Sequence, residues 1–160
     1  MSQADDVVWS EIEAGDLDTR TLYEVLALRS EVFVVEQACA YQDVDGLDLV
    51  DGTVHVIGHV IGGAKGSSIP AYARILAPGE ARPTPRIGRV IVAVTSRGRR
   101  LARPLMRRAL ACCEERWPGQ AVELGAQQHL TRFYASLGFQ AVSEPYDEDG
   151  IPHVWMRRGN

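Results

Sequence analysis

One segment indicates the fold more clearly than any other: Ile87-Gly-Arg-Val-Ile-Val-Ala-Val94, followed by Thr95-Ser-Arg-Gly-Arg-Arg-Leu-Ala102. Its first half is rich in Val and Ile, which predicts a buried strand. A helix is predicted to begin near Leu101, because Pro104 is tolerated only in the first turn of a helix. A strand that enters a helix through a short loop forms an anion site, since the free backbone N–H groups and the helix dipole point outward together.

The distribution of charge indicates a small anionic ligand at this loop. The 160-residue chain has a formal net charge of −4, which argues against a general attraction to nucleic acid or to an anionic membrane. Within this acidic chain, a local group of arginines predicts binding of a small polyanion such as a phosphorylated cofactor, although Arg107 and Arg108 are better interpreted as a solvated helix face. The group comprises Arg97, Arg99, Arg100, Arg103, Arg107 and Arg108.

Several other classes of protein are disfavoured. The chain has neither a Gly-x-x-x-x-Gly-Lys-Ser/Thr nor a Gly-x-Gly-x-x-Gly motif, so a nucleoside triphosphatase or a dinucleotide oxidoreductase is not expected. Its three cysteines, Cys39, Cys112 and Cys113, lack the spacing of a metal site and cannot all be paired, so they are expected to fill the core. No apolar run approaches the roughly 20 residues that cross a bilayer, and a cytoplasmic location is expected.

The remaining periodicities place this segment within a mixed sheet. Consecutive strands favour antiparallel hairpins, whereas the βαβ unit from Ile87 to Ala126 requires one parallel pair. The predicted strands are Val7–Ile12, Thr53–Ile61, Ala71–Leu76, Ile87–Val94, Ala121–Ala126, Phe139–Val142 and Ile151–Met156; the predicted helices run from Asp18 or Thr19 to about Val34, from near Leu101 to Pro118, and from Gln128 to Leu137. Gly62 to Pro70 is predicted to be a hairpin loop, and Glu144 to Gly150 an acidic turn. The expected fold class is α+β: a mixed, mostly antiparallel sheet of six to seven strands with helices on both faces, in one domain over residues 1–160.

Two motifs in this order resemble the GNAT superfamily of N-acetyltransferases. Val90-Ile-Val92 takes the place of the superfamily's Leu-x-Val strand, and Arg97-Gly-Arg-Arg-Leu-Ala102 that of its Arg/Gln-x-x-Gly-x-Gly/Ala loop, with Arg100 where the pattern has glycine. Gln127 to Phe139 is similar to the segment Asn…Phe/Leu-Tyr-x-x-x-Gly-Phe, with Gln127 in the asparagine position. The resemblance implies a GNAT-like fold and acetyl-CoA as co-substrate. The residues that it implies for binding acetyl-CoA are Val90, Ile91, Val92, Arg97, Gly98, Arg99, Arg100, Leu101, Ala102 and Gln127.

A narrower resemblance, to the ElaA-type branch of the superfamily, covers nearly the whole chain. It rests on Val32-Phe-Val-Val-Glu-Gln37, Tyr41-Gln-Asp-Val-Asp-Gly46, Ala71-Tyr-Ala-Arg-Ile-Leu76, Ile87-Gly-Arg-Val-Ile-Val92, Leu124-Gly-Ala-Gln127 and Glu148-Asp-Gly-Ile-Pro-His153. That branch also tends to have a basic residue at the position of Arg100. The branch has no established substrate, so this resemblance specifies fold and co-substrate more than biology.

The resemblance also implies how acetyl transfer is catalysed. Backbone N–H groups around Ile91 and Val92 would hold the thioester carbonyl, because fixed donors stabilise a developing oxyanion without reorganising. Tyr134 matches the superfamily tyrosine that protonates the departing thiolate. The alternative for Tyr134 is a buried core tyrosine.

The acceptor side rests on weaker signals. The attacking amine must be neutral, and His55 and His153 are candidate bases because histidine titrates near neutrality; a structural histidine is the alternative for each. Asp43 and Asp45 are candidates to line an acceptor pocket, with a polar turn as the alternative, and their loop lacks the residue order of a calcium site. Arg74, an arginine within an apolar strand, is expected to bridge an acidic partner, as is Arg89.

The sequence therefore predicts an N-acetyltransferase that moves the acetyl group of acetyl-CoA to a primary amine. One alternative is a non-catalytic module that binds or senses acyl-CoA, and another is a structural or nucleic-acid-binding protein that uses the arginine group. The expected partner is a small-molecule or peptide amine, without nucleic acid, membrane or metal, and the chain is expected to be a monomer or a homodimer.

Overall fold

A computed structural model describes residues 6–61 and 69–159, and their strands form one mixed sheet. The strands are β1 (Val7–Glu13), β2 (Val54–Val60), β3 (Ala71–Leu76), β4 (Arg86–Val92), β5 (Val122–Gln127), β6 (Gln140–Ala141), β7 (Tyr146–Glu148) and β8 (Ile151–Arg158). Their order across the sheet is β1-β2-β3-β4-β5-β8-β6, and β7 pairs with β8. All pairs are antiparallel except β4 with β5, which confirms the predicted α+β class.

The helices are α1 (Thr19–Arg29), α2 (Ala102–Arg116) and α3 (Thr131–Ala135). Asp18 caps α1 by accepting a hydrogen bond from the backbone N–H of Thr21 at 2.9 Å, as Asp18 was expected to do. Beyond Arg29, the helix predicted to reach about Val34 continues as a π-helix, Ser30–Glu36. Short 3₁₀ turns cover Ala14–Asp16, Val94–Ser96 and Gln128–Leu130.

Helices cover both faces of the sheet, as predicted. Side chains alternate between the faces of a strand, so Ala71 and Ala73 pack in the cluster that holds Leu105 of α2. Tyr72, between them, packs in the second cluster with Val25 of α1. The two faces are therefore distinct: one carries α2 and α3, and the other carries α1 and the π-helix.

The sheet opens between β4 and β5. These two strands are in register at one pair, Arg86 with Glu123, and diverge beyond it. On its other side β4 pairs with β3 through an irregularity between Gly88 and Ile91, where Arg89 has a φ of +51°. The second half of β4 therefore borders a gap on its β5 side, while on the other side Ile91 and Val92 pair with Tyr72 and Ala71 of β3.

Two details differ from the sequence prediction. The sheet has eight strands in the described residues instead of six to seven, because the acidic turn predicted at Glu144 to Gly150 contains β7. The strand predicted to reach Val94 ends at Val92, since Val94–Ser96 turns toward α2. Most of the predicted hairpin loop from Gly62 to Pro70 lies outside the described residues. None of the helices in the described ranges is long and apolar enough to cross a membrane.

Candidate active site

A cavity of about 1210 Å³ opens where β4 and β5 diverge, and we call it the central cavity. Strands β4, β5, β7 and β8, the π-helix with the loop after it, and α3 all contribute to its lining. Of the residues singled out in the sequence, those that line it are Val90, Ile91, Val92, Arg97, Ala102, Gln127, Tyr134, Asp45, Arg74 and His153. Those not among its lining residues are Gly98, Arg99, Arg100, Leu101, Asp43 and His55.

The loop between β4 and α2 contains two residues with positive φ. Gly98 has a φ of +84°, which glycine adopts without steric cost, and Arg100 has a φ of +58°. A left-handed conformation at residue 100 explains why the superfamily pattern has glycine there. The loop is anchored by Leu101, whose side chain is buried in the core, and the N–H groups of the first turn of α2 have no acceptor within the helix.

Arg97 connects this loop to the opposite wall of the cavity. Its guanidinium donates two hydrogen bonds to the carboxylate of Glu36, at the end of the π-helix, and one to the carbonyl oxygen of Val92. The hydrogen bond from Arg97 lowers the pKa of Glu36. Both side chains are exposed, so the ion pair contributes little to stability. Glu36 belongs to the Val32–Gln37 stretch of the ElaA-type resemblance but was not predicted as a site residue.

Tyr134 reaches the cavity from the face that carries α2. It is 6% exposed, and its ring packs edge-on against Phe133 and Phe139, with centroids 5.2 and 6.1 Å away. Burial raises the pKa of Tyr134 to about 12, so the phenol keeps its proton at neutral pH.

The far side of the cavity is formed by β5 and the hairpin of β7 and β8. Gln127 of β5 lies opposite His153 of β8 and donates a hydrogen bond to Oε1 of Gln37 at 3.3 Å. The imidazole of His153 bonds through Nδ1 to the carbonyl oxygen of Ile151 at 2.8 Å, and its Nε2 lies 3.3 Å from a carboxylate oxygen of Glu148. The sequence prediction included Gln127 and His153 as site residues but not their partners Gln37 and Ile151.

The loop from Cys39 to Asp48 is held by buried arginines. Arg29 of α1 is 0% exposed; it donates from Nε to Asp43 at 2.8 Å and from Nη1 to Asp48. Arg74 of β3 donates from Nη1 to the same oxygen of Asp48 at 2.9 Å and from Nη2 to Asp45 at 2.7 Å. Arg74 therefore has the acidic partners that were expected. We call these residues, together with Arg89, the charged network.

Asp43 and Asp45 have different surroundings within the charged network. Asp43 is buried and also accepts from Nε of Arg89 at 2.8 Å, which ties the loop to the bulge of β4. Asp45, whose side chain is 26% exposed, lines the cavity. Burial alone would raise the pKa of Asp45, but hydrogen bonds from Arg74 and from the backbone of Leu47 outweigh it and lower the pKa to about 2.

His55 lies in the core and not at the cavity. It is 0% exposed, and its two ring nitrogens bond to the hydroxyl of Tyr72 at 2.7 Å and to the carbonyl oxygen of Asp48 at 2.9 Å. Burial lowers the pKa of His55, which favours the neutral ring. Its position supports the structural interpretation given as the alternative for this histidine.

The cysteines and the acidic side chains are candidates for a disulfide or a metal site in the described residues. All three cysteines are buried and unpaired; Cys39 lines the cavity and donates to the carbonyl oxygen of Asp149 at 3.2 Å. In residues 6–61 and 69–159, no group of three or more His, Cys, Asp or Glu side chains is arranged to hold a metal ion.

Comparison with known proteins finds similarity along almost the whole chain. A family model described as an acetyltransferase (GNAT) domain matches residues 63–159. Protein ElaA of Escherichia coli (strain K12) is 44% identical over 152 residues, which cover 95% of this chain and 96% of ElaA.

Solved structures show the same similarity in three dimensions. The crystal structure of an acyl-CoA N-acyltransferase from Pseudomonas aeruginosa has a TM-score of 0.88 and 44% identity, and the match covers 96% of this chain and 99% of that one. The crystal structure of Escherichia coli ElaA has a TM-score of 0.85 and 43% identity, covering 95% of this chain and 99% of that one. The central cavity therefore lies within a fold shared over the full length of these two proteins.

Proposed function

The chain belongs to the GNAT acetyltransferase family and is an acyl-CoA-dependent N-acyltransferase, and on this premise we propose that it transfers the acetyl group of acetyl-CoA directly to a primary amine. The resemblance to the ElaA-type branch is confirmed by the same similarities. Our proposal concerns four points beyond the family: that the transfer is direct, that the group is acetyl, that the acceptor is a primary amine, and which residue has which role.

The residues present suit a phosphorylated thioester. Gly98 and Arg100 have positive φ angles just before α2, whose free N–H groups and dipole favour an anion, and the neighbouring arginines match the charge of a pyrophosphate. The gap between β4 and β5 gives an extended acyl-CoA arm a path from this loop toward Tyr134. We propose Val90, Ile91, Val92, Arg97, Gly98, Arg99, Arg100, Leu101, Ala102 and Gln127 as the residues that bind acetyl-CoA.

The proposed reaction has one bond-forming and one bond-breaking event. The amine nitrogen attacks the thioester carbonyl, and backbone N–H groups near Ile91 and Val92 stabilise the oxyanion because the bulge leaves this edge of β4 unpaired with β5. The C–N bond forms, the C–S bond breaks, and the sulfur takes the proton of the Tyr134 hydroxyl. The raised pKa of Tyr134 keeps this proton available across the neutral range.

The proposal rests on one observation: three elements line the central cavity. They are the part of β4 that diverges from β5, Arg97 of the loop between β4 and α2, and the buried phenol of Tyr134. These elements come from three separate parts of the chain. A module that only bound acyl-CoA would need the loop and the gap, but it would not need an acid at Tyr134.

Acetyl-CoA binding and turnover provide the test. We expect acetyl-CoA to raise the melting temperature more than equimolar tripolyphosphate does, since a generic anion site would respond equally to both. With a panel of primary amines we expect release of CoA thiol. Binding without thiol release for every amine in a broad panel would instead support the non-catalytic module.

Tyr134→Phe tests the acid. Because the ring is already packed by Phe133 and Phe139, phenylalanine should fit without a cavity, and we expect kcat to fall about 100-fold with an unchanged Kd for acetyl-CoA. Tyr23→Phe, on the exposed surface of α1, is the matched control and should behave as the wild type. A wild-type kcat in Tyr134→Phe would exclude the assigned role.

A further inference from the structure

The imidazole of His153 bonds through one nitrogen to a backbone carbonyl oxygen and faces the exposed carboxylate of Glu148 with the other. Nδ1 lies 2.8 Å from the carbonyl oxygen of Ile151, and a carbonyl oxygen only accepts hydrogen bonds. Nδ1 must therefore carry the proton. In the neutral ring the lone pair is then on Nε2, which is the form that a proton acceptor requires.

Nε2 also has a counter-ion for the protonated state. A carboxylate oxygen of Glu148, on the adjacent strand β7, lies 3.3 Å from Nε2. Tyr146 stacks on the ring with a centroid distance of 5.9 Å and an interplanar angle of 27°, which restricts rotation of the imidazole. Glu148 is 57% exposed, so it can stabilise the imidazolium without a large desolvation cost.

His153 lies in the same cavity as the residues proposed to bind acetyl-CoA. It lies opposite Gln127, at the end of β5 where that strand has diverged from β4, and it lines the same cavity as Tyr134. The titratable groups placed against it are Glu148 and Tyr146 from β7, while β5 contributes the neutral Gln127.

The other histidines do not combine these features. Both ring nitrogens of His55 are occupied in the core, and His59 lies on β2, away from the cavity lining. His129 lines the cavity but is exposed, on the 3₁₀ turn before α3. Among the carboxylates, Asp45 is bonded to Arg74 and Glu36 to Arg97, which makes both of them weak bases.

We infer that His153 is the catalytic base that takes the proton from the acceptor amine, with Glu148 as its counter-ion. This inference rests on the proposed acetyl transfer, and it assigns the residue that removes a proton from the attacking amine. As the C–N bond forms, one N–H proton of the neutral amine moves to Nε2, while the sulfur receives the proton of Tyr134. The imidazolium then returns a proton through solvent to the phenolate, so the net reaction converts amine and thioester to amide and thiol.

His153→Asn removes the base but keeps a donor for the carbonyl of Ile151. We expect kcat at neutral pH to fall about 100-fold, with an unchanged Kd for acetyl-CoA and an unchanged circular dichroism spectrum. Added imidazole should restore at least a tenth of the lost rate, which would not happen if His153 only supported the hairpin. His59→Gln, on β2 and outside the cavity lining, is the matched control and should keep the wild-type rate.

Glu148→Gln provides a second variant at an exposed position. Without its counter-ion the imidazolium that forms during the transfer is less stable, so kcat should fall in Glu148→Gln, and by less than in His153→Asn. Wild-type kcat in His153→Asn, or a loss that imidazole does not restore, would overturn the inference. If the wild-type protein released no thiol with any amine, the proposed function itself would fail, and the two failures are therefore distinguishable.

Discussion

The charged network makes a strong prediction about Asp48. The side chain of Asp48 is 6% exposed, and one of its carboxylate oxygens accepts from both Arg29 and Arg74. Asp48→Asn preserves the volume and removes the charge, so two buried guanidinium groups lose a shared counter-ion. We expect the free energy of unfolding to fall by about 3 kcal/mol.

The magnitude follows from the contacts. Each hydrogen bond to a charged group is worth about 1.5–3 kcal/mol, and breaking a buried ion pair costs about 3–5 kcal/mol. Arg29 keeps Asp43 and Arg74 keeps Asp45, so the loss should lie at the lower end of that range. For a domain of this size, about 3 kcal/mol corresponds to a fall in Tm of roughly 6–12 °C.

Urea unfolding measures this loss, with the m value as the check that both proteins unfold in the same way. Asp51→Asn, an exposed substitution in the same loop, is the matched control and should change stability by less than about 0.5 kcal/mol. A loss below about 1 kcal/mol in Asp48→Asn would refute the assignment of Asp48 as the shared counter-ion.

The same substitution has a pH signature. Burial would raise the pKa of Asp48, but the hydrogen bonds from Arg29 and Arg74 outweigh it and lower the pKa below its ordinary value. A carboxyl group with a lowered folded pKa stabilises the protein above its unfolded pKa, and this contribution is lost as the pH falls through the folded pKa. The difference between wild type and Asp48→Asn should therefore be full at neutral pH and shrink below about pH 4.

Three further substitutions have defined outcomes. Arg86→Met should raise the free energy of unfolding by about 1 kcal/mol in a urea titration, because Nε of Arg86 is buried without a hydrogen-bond partner in the described residues. Glu36→Gln should lower the Kd for acetyl-CoA severalfold in calorimetry, because it releases Arg97 to bind the phosphates. Glu31→Gln is the control. A higher Kd in Glu36→Gln would mean that Glu36 positions Arg97. Arg100→Gly should stabilise the fold by about 1 kcal/mol by relieving a left-handed conformation, yet weaken acetyl-CoA binding, and unchanged affinity would exclude a phosphate contact by this side chain.

The fold and the junction of β4 with α2 were predictable because their signals are local. A Val- and Ile-rich strand, a glycine turn and a proline-marked helix start lie next to one another in the chain, and each follows from short-range sterics. The short strand β7 was not predicted, since Tyr146–Glu148 is three exposed residues in an acidic stretch and has no apolar periodicity. Its pairing with β8 depends on the tertiary fold.

The acceptor side was less predictable because its contacts are distant in sequence. Arg29 occupies an ordinary position on a helix, and the aspartates that permit its burial follow 14 and 19 residues later. His55 and His153 were both candidate bases in the sequence. They differ in their positions in the fold: His55 lies in the core, whereas His153 lines the cavity. The amino-acid sequence alone does not show which face of the sheet α1 covers or which part of the sheet borders the cavity.

The charged network also connects the bulge of β4 at Arg89 to the loop from Cys39 to Asp48. An apolar core of equal volume can be as stable as buried ion pairs, so stability alone does not account for these arginines. Arg89 has a left-handed conformation that costs on the order of 1–2 kcal/mol. Asp43 holds it through a carboxylate oxygen at 2.8 Å and a backbone oxygen at 3.0 Å, a directional contact that apolar packing cannot provide. Because Asp43 also binds Arg29, the bulge of β4 is fixed both to α1 and to the loop from Cys39 to Asp48.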